Sequence, residues 1–304
     1  MDDMNLVELV QKFADDKKCR AYIEALRWPT GPTCPRCKAT KVYRIVEREQ
    51  FVCGSCEHQF SATAGTIFHD SHLPLWKWFL AAYLMAESKK GMSANQLKRT
   101  LKVSYKTAWY LCHRIRKAMA EANPRPLKGT VELDETYIGG KRHFQNRTYL
   151  RNKQMVLGAI ERNGPLRLKV EKRSKNASQK IVHEWIKETT APDVECLMTD
   201  GHPAYFGIED ADTKHESVDH GQHEYVRGNA HINSIENAWS LFKRSLIGSY
   251  HKVSAKHLDA YLDEFEWRFN NRKNPFLFRD TMLKLIASSN VEYKDLTAKT
   301  QDAA

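Results

Sequence analysis

Apolar residues recur along this chain with two periods, and the changes between them mark out its elements. From Leu73 to Ala86 the hydrophobic run is almost unbroken, predicting a buried, aromatic-rich helix over 76–87. Ser93-Ala-Asn-Gln96 then has the form of a capping box, opening a short helix through Leu101. Val103 and Ser104 make a tight turn. Ser104 caps a second helix to about Met119, whose apolar stripe is Ala108, Leu111, Ile115 and Met119. Further on the period falls to that of strands. Thr130 to Gly140 reads as a strand ending in a Gly-Gly turn. Met155–Ile160 and Leu166–Val170 read as two more, joined through Asn163-Gly164. A helix over 176–189 leads to a short apolar strand, 196–200, that stops at Asp200-Gly201. From His231 a helical stripe returns as Ile232, Ile235, Trp239, Phe242 and Leu246. Beside it runs a polar stripe of Asn233, Glu236, Ser240 and Lys243. A last aromatic helix covers 258–269, with Arg268, Arg272 and Lys273 at its end to meet DNA or to complement the helix dipole.

Two proline-rich breaks, Trp28-Pro-Thr-Gly-Pro32 and Asn123-Pro-Arg-Pro126, divide these elements. They give an N-terminal helix with a small cysteine-containing unit (1–70), a helical region (71–126) and an α/β region (127–290). A polar tail (291–304) is expected to fray.

Charge changes this picture in one place. The net charge is +11, yet residues 88–128 hold eleven Lys and Arg against one acid, Glu121, so this segment alone supplies 11 − 1 = +10. A basic segment on an otherwise balanced chain predicts a nucleic-acid docking surface. Two short helices with a brief turn, the second basic, match a helix-turn-helix. In that motif the N-terminal residues of the second helix meet bases. Here these are Tyr105, Lys106 and Thr107, with Arg114, Arg116 and Lys117 further along to meet phosphates. Acids follow the initiating Met where a signal peptide places bases, and the apolar run at 73–86 is interrupted by Lys77. The reading is a cytoplasmic protein with no membrane span.

Four of the seven cysteines fall in two pairs, Cys34-Pro-Arg-Cys37 and Cys53-Gly-Ser-Cys56, with short strands expected between them. Two such knuckles facing each other form a four-thiolate zinc ribbon, whose metal supplies folding energy and has no open position. His58 stands beside a shell that is already full.

The acids are the remaining chemistry. Glu132, Asp134 and Glu135 crowd one strand, where acids are usually avoided, and spacing alone does not choose among them. Asp200 ends a buried strand, placed to face a cleft. Glu236 shares a helix face with Lys243. Carboxylates from two strands and a helix can hold two Mg2+ or Mn2+ ions for phosphodiester cleavage. His202, His220, His223 and His231 fit no ligand spacing and read as loop or cap residues.

These segments together resemble bacterial insertion-sequence transposases of the DDE class that begin with a zinc ribbon, the "fifteen-ninety-five" insertion-sequence group. The likeness rests on Cys34-Pro-Arg-Cys37, Val131-Glu-Leu-Asp-Glu-Thr-Tyr-Ile-Gly-Gly-Lys141, Thr199-Asp-Gly-His-Pro-Ala-Tyr205 and His231-Ile-Asn-Ser-Ile-Glu-Asn-Ala-Trp-Ser-Leu-Phe-Lys-Arg244. It covers about 15–285. The resemblance implies an RNase H-like catalytic domain, a mixed sheet with helices on both faces. It selects Asp134, Asp200 and Glu236 as metal ligands and makes Lys243, beside Arg244, a contact to element-end DNA. It implies Mg2+-dependent cleavage at terminal inverted repeats, transfer of the 3′-OH end to target DNA, and a bacterial, nucleoid-associated complex of two or more protomers on double-stranded DNA. A DNA-binding regulator with vestigial acids and a nuclease without strand transfer are the rival readings.

Overall fold

A computed structural model describes residues 4–139, 153–172, 174, 176–209, 213–218, 224 and 226–298. Gly140, Lys141, His220 and His223 lie outside the described residues, as does the end of the tail. The chain forms two compact units, one from 1–120 with 271–304 and the other from 121–270.

The first unit opens with two helices, α1 (Leu6–Lys12) and α2 (Asp16–Arg27), where one short helix was expected. Asn5 and Asp15 cap them, each accepting a backbone N–H three residues on. A three-stranded antiparallel sheet follows, β1 (Val42–Ile45), β2 (Gln50–Cys53) and β3 (Gln59–Phe60). Its small core joins Phe51 and Phe60 to Trp28 and to three of the four cysteines, Cys34, Cys53 and Cys56. Next come α3 (Leu75–Glu87), α4 (Ala94–Leu101) and α5 (Tyr105–Met119). Ser93 and Ser104 cap α4 and α5 as their positions foretell. Lys102 turns between them in the left-handed conformation at φ 49°.

The expected boundary at 290 is displaced. Helix α9 (Leu277–Ala287) packs on α2, α3 and α5 of the first unit, not on the α/β region before it. The reason is apolar: Phe278 stands 6.2 Å or less from the rings of Phe13, Tyr22, Phe79 and Tyr83. A short α10 (Tyr293–Thr297) follows where a frayed tail was expected. The Tyr110 hydroxyl donates to the Val291 carbonyl just ahead of it.

The second unit is a five-stranded mixed sheet. Its strands are β4 (Thr130–Gly139), β5 (Lys153–Glu161), β6 (Leu166–Glu171), β7 (Cys196–Thr199) and β8 (Lys214–Ser217), in the spatial order β6-β5-β4-β7-β8. The first three pair antiparallel, whereas β4-β7 and β7-β8 are parallel. Helix α6 (Gln179–Thr189) covers one face through Val182, Trp185 and Ile186, against Val131, Leu133 and Leu157. On the other face lie α7 (Asn233–Ser245) and α8 (Leu258–Asn270), through Ile235, Trp239, Phe242, Leu262 and Phe265. This is the RNase H-like arrangement, a mixed sheet with helices on both faces. Among the described residues no helix is long and apolar enough to cross a membrane.

Candidate active site and metal cage

Strand β4 pairs with β7 only from Thr130↔Cys196 to Glu132↔Met198. Extending that register by two residues sets Asp134 opposite Asp200, one residue past the end of β7, while β4 runs on to Gly139. Strand alternation sends neighbouring acids to opposite faces. Asp134 looks toward α7, and its Oδ2 accepts the Trp239 indole N–H at 3.0 Å. Glu135 looks toward α6 and accepts the hydroxyl of the fully buried Tyr205 at 2.7 Å. Glu132 is wholly buried and engaged elsewhere. The structure thus separates three acids that spacing left equivalent.

Burial, helped by the charges of Asp200 and Glu135, pushes Asp134 up to about 8. Burial also raises Glu135, with the Tyr205 hydrogen bond opposing and Asp200 adding to the rise. Crowded carboxylates of this kind suit a hard divalent cation, whose charge returns them to the ionised form. Asp200 Oδ1 accepts the His202 N–H at 3.0 Å, bending the loop after β7. His202 is exposed and its Nδ1 accepts the Ala204 N–H, so it serves as a turn cap as expected.

Glu236, Ser240 and Lys243 all lie exposed on the polar face of α7, with Arg244 beside Lys243 in its last turn. The apolar stripe Ile232, Ile235, Trp239 and Phe242 is buried beneath them. Glu236 sits one turn before Trp239, the residue that holds Asp134. Asp134, Asp200 and Glu236 do not converge as closely as the ribbon's ligands do. Among the described residues only Cys34, Cys37, Cys53 and Cys56 have ligand atoms all within 4.8 Å of one another. Their sulfurs approach in crossed pairs, Cys34–Cys56 at 3.7 Å and Cys37–Cys53 at 3.5 Å. The Ser55 N–H, pointing at Cys53 Sγ, lowers that thiol to about 6, toward the thiolate a metal ligand needs. Four thiolates in this cage fit structural zinc.

The basic helix divides differently from expectation. Tyr105 and Lys106 are exposed at the start of α5, and Thr107 is half-buried beside its Ser104 cap. Lys106 Nζ lies 4.5 Å from the centre of the Tyr293 ring. Lys117 is exposed. Arg114 and Arg116, expected at phosphates, are instead buried, 3% and 1% exposed. Arg114 donates to the Ile67 and His69 carbonyls and stacks on Trp78 and Tyr110, so its charge is spent inside the unit. Arg268 is likewise buried, 3.3 Å from Glu264.

Residues the sequence reading passed over complete the site. Gly158 on β5 faces Asp134. A Cβ there would lie 2.3 Å from the Trp239 ring, so glycine is what lets the indole reach Asp134. In the sequence Tyr205 is only the last residue of the Thr199–Tyr205 segment. Its position five residues after Asp200 carries no periodic signal.

Residues 126–270 match the family model of the ISXO2-like transposase domain, and residues 14–59 that of the transposase zinc-ribbon domain. The chain is 30% identical over 280 residues to an uncharacterized protein in transposable element ISH50 of Halobacterium salinarum, covering 85% of this chain and 92% of that one. It is 33% identical over 86 residues to an uncharacterized transposase-like protein of Haemophilus influenzae, covering 28% and 68%. Among solved structures, the Mos1 strand transfer complex aligns over 68% of this chain and 74% of that one, at 11% identity and a TM-score of 0.33. A simian T-cell lymphotropic virus intasome aligns over 57% and 63%, at 12% identity and 0.31.

Proposed function

This chain belongs to the family of transposases that join a zinc ribbon to an ISXO2-like transposase domain, and from that premise we propose how its residues act on DNA. The protein is a DNA transposase. We assign Asp134, Asp200 and Glu236 as the carboxylates that hold two Mg2+ ions. Bound there, the ions would lower the barrier to phosphodiester cleavage by steadying charge on the attacking and leaving oxygens. The observation that carries this assignment is the nearness of Asp200 to Asp134, two residues past the last β4–β7 pair, where burial and the charge of Asp200 raise Asp134.

The protein's own groups do the positioning. Trp239 holds Oδ2 of Asp134 and the Glu135 N–H holds Oδ1 at 2.9 Å, and each oxygen keeps a lone pair that can face a cation. Lys243 and Arg244, exposed about two turns beyond Glu236 on α7, supply cations for element-end phosphates. Tyr105, Lys106, Thr107 and Lys117 form the sequence-reading and phosphate-holding edge of the helix-turn-helix. The substrates are double-stranded DNA at the element's terminal repeats and at the target, joined by transfer of a 3′-OH end in a complex of two or more protomers. The setting is the cytoplasm, on the nucleoid.

The test is incubation of purified protein with labelled element-end DNA, in Mg2+ and in EDTA, for wild type and Asp200→Ala. Nicks at the element ends that need metal, and that vanish in the variant while DNA binding survives, are expected. Binding without cleavage in Mg2+ or Mn2+ would instead support the regulator reading. Cleavage without joining of the cut 3′ end to target DNA would leave a nuclease.

A further inference from the structure

Helix α7 begins without a cap of its own. The residue before it is Ile232, whose side chain accepts nothing. The first free N–H groups of a helix need an acceptor, and an acid there also meets the positive end of the helix dipole. The acceptor comes from a distant strand. Glu132 Oε2 accepts the N–H groups of Ser234 at 2.7 Å and Ile235 at 3.1 Å. Its Oε1 accepts the Ser234 hydroxyl at 3.0 Å and Arg162 Nε at 2.9 Å. Arg162 in turn donates to the His231 carbonyl at 2.9 Å, tying the approach to the helix into the same cluster. His231 Nδ1 stands 3.4 Å from Oε1. Glu132 itself is 0% exposed.

The same strand grips the same helix a second time, through Asp134 and the Trp239 indole. Glu132 and Asp134 are two residues apart on one face of β4, a rise of roughly 7 Å. Ser234/Ile235 and Trp239 are four to five residues apart on α7, a rise of about 6–7.5 Å. Two grips at different points along both elements leave the helix a single longitudinal setting on the strand. Glu236 lies between the two grips.

We infer that Glu132 is a positioning residue for the proposed cleavage reaction: it locks α7 to the strand that carries Asp134 and so fixes where Glu236 and Lys243 present themselves. The inference rests on the metal-ligand reading above. It assigns Glu132 no contact with metal or DNA. Outer-shell partners of metal ligands of this kind typically account for 10–100-fold in metal affinity or activity.

The experiment compares full-length wild type, Glu132→Gln and Ser234→Ala. It reads zinc content, thermal unfolding, Mn2+ binding to the protein alone by electron paramagnetic resonance, and end cleavage in Mg2+. Glu132→Gln is expected to keep its zinc and a cooperative unfolding transition. Mn2+ affinity and cleavage should each fall roughly tenfold or more. A lower melting temperature with Mn2+ affinity and cleavage within twofold of wild type would make Glu132 a helix cap and nothing else, overturning the inference. Should Glu132→Gln fail to fold, Ser234→Ala decides. It removes one donor and leaves the ion pair, and a severalfold weaker Mn2+ affinity is expected, whereas no change overturns the inference. Wild type that neither binds Mn2+ nor cuts would defeat the metal reading first and take this inference with it. Wild type that binds and cuts, matched by both variants, would defeat this inference alone.

Discussion

The ribbon and the proposed carboxylate site would hold metal in opposite ways. In the ribbon, four cysteine sulfurs stand within 4.8 Å of one another, and Cys34 and Cys53 are part of the small core itself. In the second unit, the sheet and its helices pack without help, through two large apolar clusters on its two faces. Its acids stand at the rim of those clusters, beyond the last β4–β7 pair, and Glu236 is exposed. A closed thiolate cage gives stability and leaves no coordination position for a substrate. A loose set of oxygens leaves room for phosphate, and the surrounding fold has to hold the acids in place.

The contrast breaks most sharply at the ribbon. In zinc-finger peptides structural zinc contributes about 10–16 kcal/mol of apparent binding energy, which is folding energy. Cys37→Ser should therefore lose the metal and unfold the ribbon, from about residue 28 to 60, while α2 stays packed on α3 and α9 and the second unit keeps its own unfolding transition. Limited proteolysis with calorimetry would show cutting confined to the ribbon. Removing Mg2+, by comparison, should abolish cleavage and leave both transitions in place. A Cys37→Ser protein whose ribbon stayed protected would show that the aromatic core of Trp28, Phe51 and Phe60 suffices, and the contrast would fail.

A smaller effect distinguishes the carboxylates. An unfolded Asp ionises near 3.9, whereas folded Asp134 is raised to about 8 by burial and by Asp200 and Glu135. Between these values the folded state holds the extra proton. The stabilisation from this group is present in full below about pH 4 and is lost as pH rises through about 8. Without divalent metal, the second unit of the wild type should melt lower at pH 8.5 than at pH 6. The fall should be shallower in Asp134→Asn, and added Mg2+ should lift the wild type most at the higher pH. Equal slopes in the two proteins would show that Asp134 is not the group responsible.

The same difference explains what was legible in the sequence. Thiolate pairs announce a cage because both the residue type and the spacing are local. The helix stripes and caps were legible for the same reason: Ser93, Ser104 and the 232–242 stripe act within a turn or two. Arg114 and Arg116 misled because basic residues read as surface, and only the packed unit shows Trp78 and the 67–69 carbonyls taking Arg114 in. Strand β8, with the sequence Lys-His-Glu-Ser, has no apolar alternation and is a strand by virtue of pairing with β7. Helix α9 belongs to the first unit through aromatic contacts made across more than 180 residues of chain, which no local period records. Among the three acids of β4, the roles follow from which face each occupies and which helix lies there.

Gly158 offers the finest adjustment of the comparison, because it touches the carboxylate site without being charged or near a metal ligand in sequence. It faces Asp134 across the β4–β5 pair, and a Cβ there would meet the Trp239 ring at 2.3 Å and Ile235 Cδ1 at 2.9 Å. Neither neighbour can yield easily, since both are buried against the sheet. Gly158→Ala must push α7 outward or tilt the indole away from Asp134. Overpacking of this kind costs about 1–3 kcal/mol, so the second unit should melt a few degrees lower while the ribbon is untouched. Cleavage should fall further than that loss of stability explains, because the displaced indole no longer holds Asp134. Far below the melting temperature, the Mg2+ dependence of cleavage should move to higher concentration. An alanine variant with lower stability but an unchanged Mg2+ dependence would show that Asp134 is held by its strand alone, and that Trp239 serves only the core.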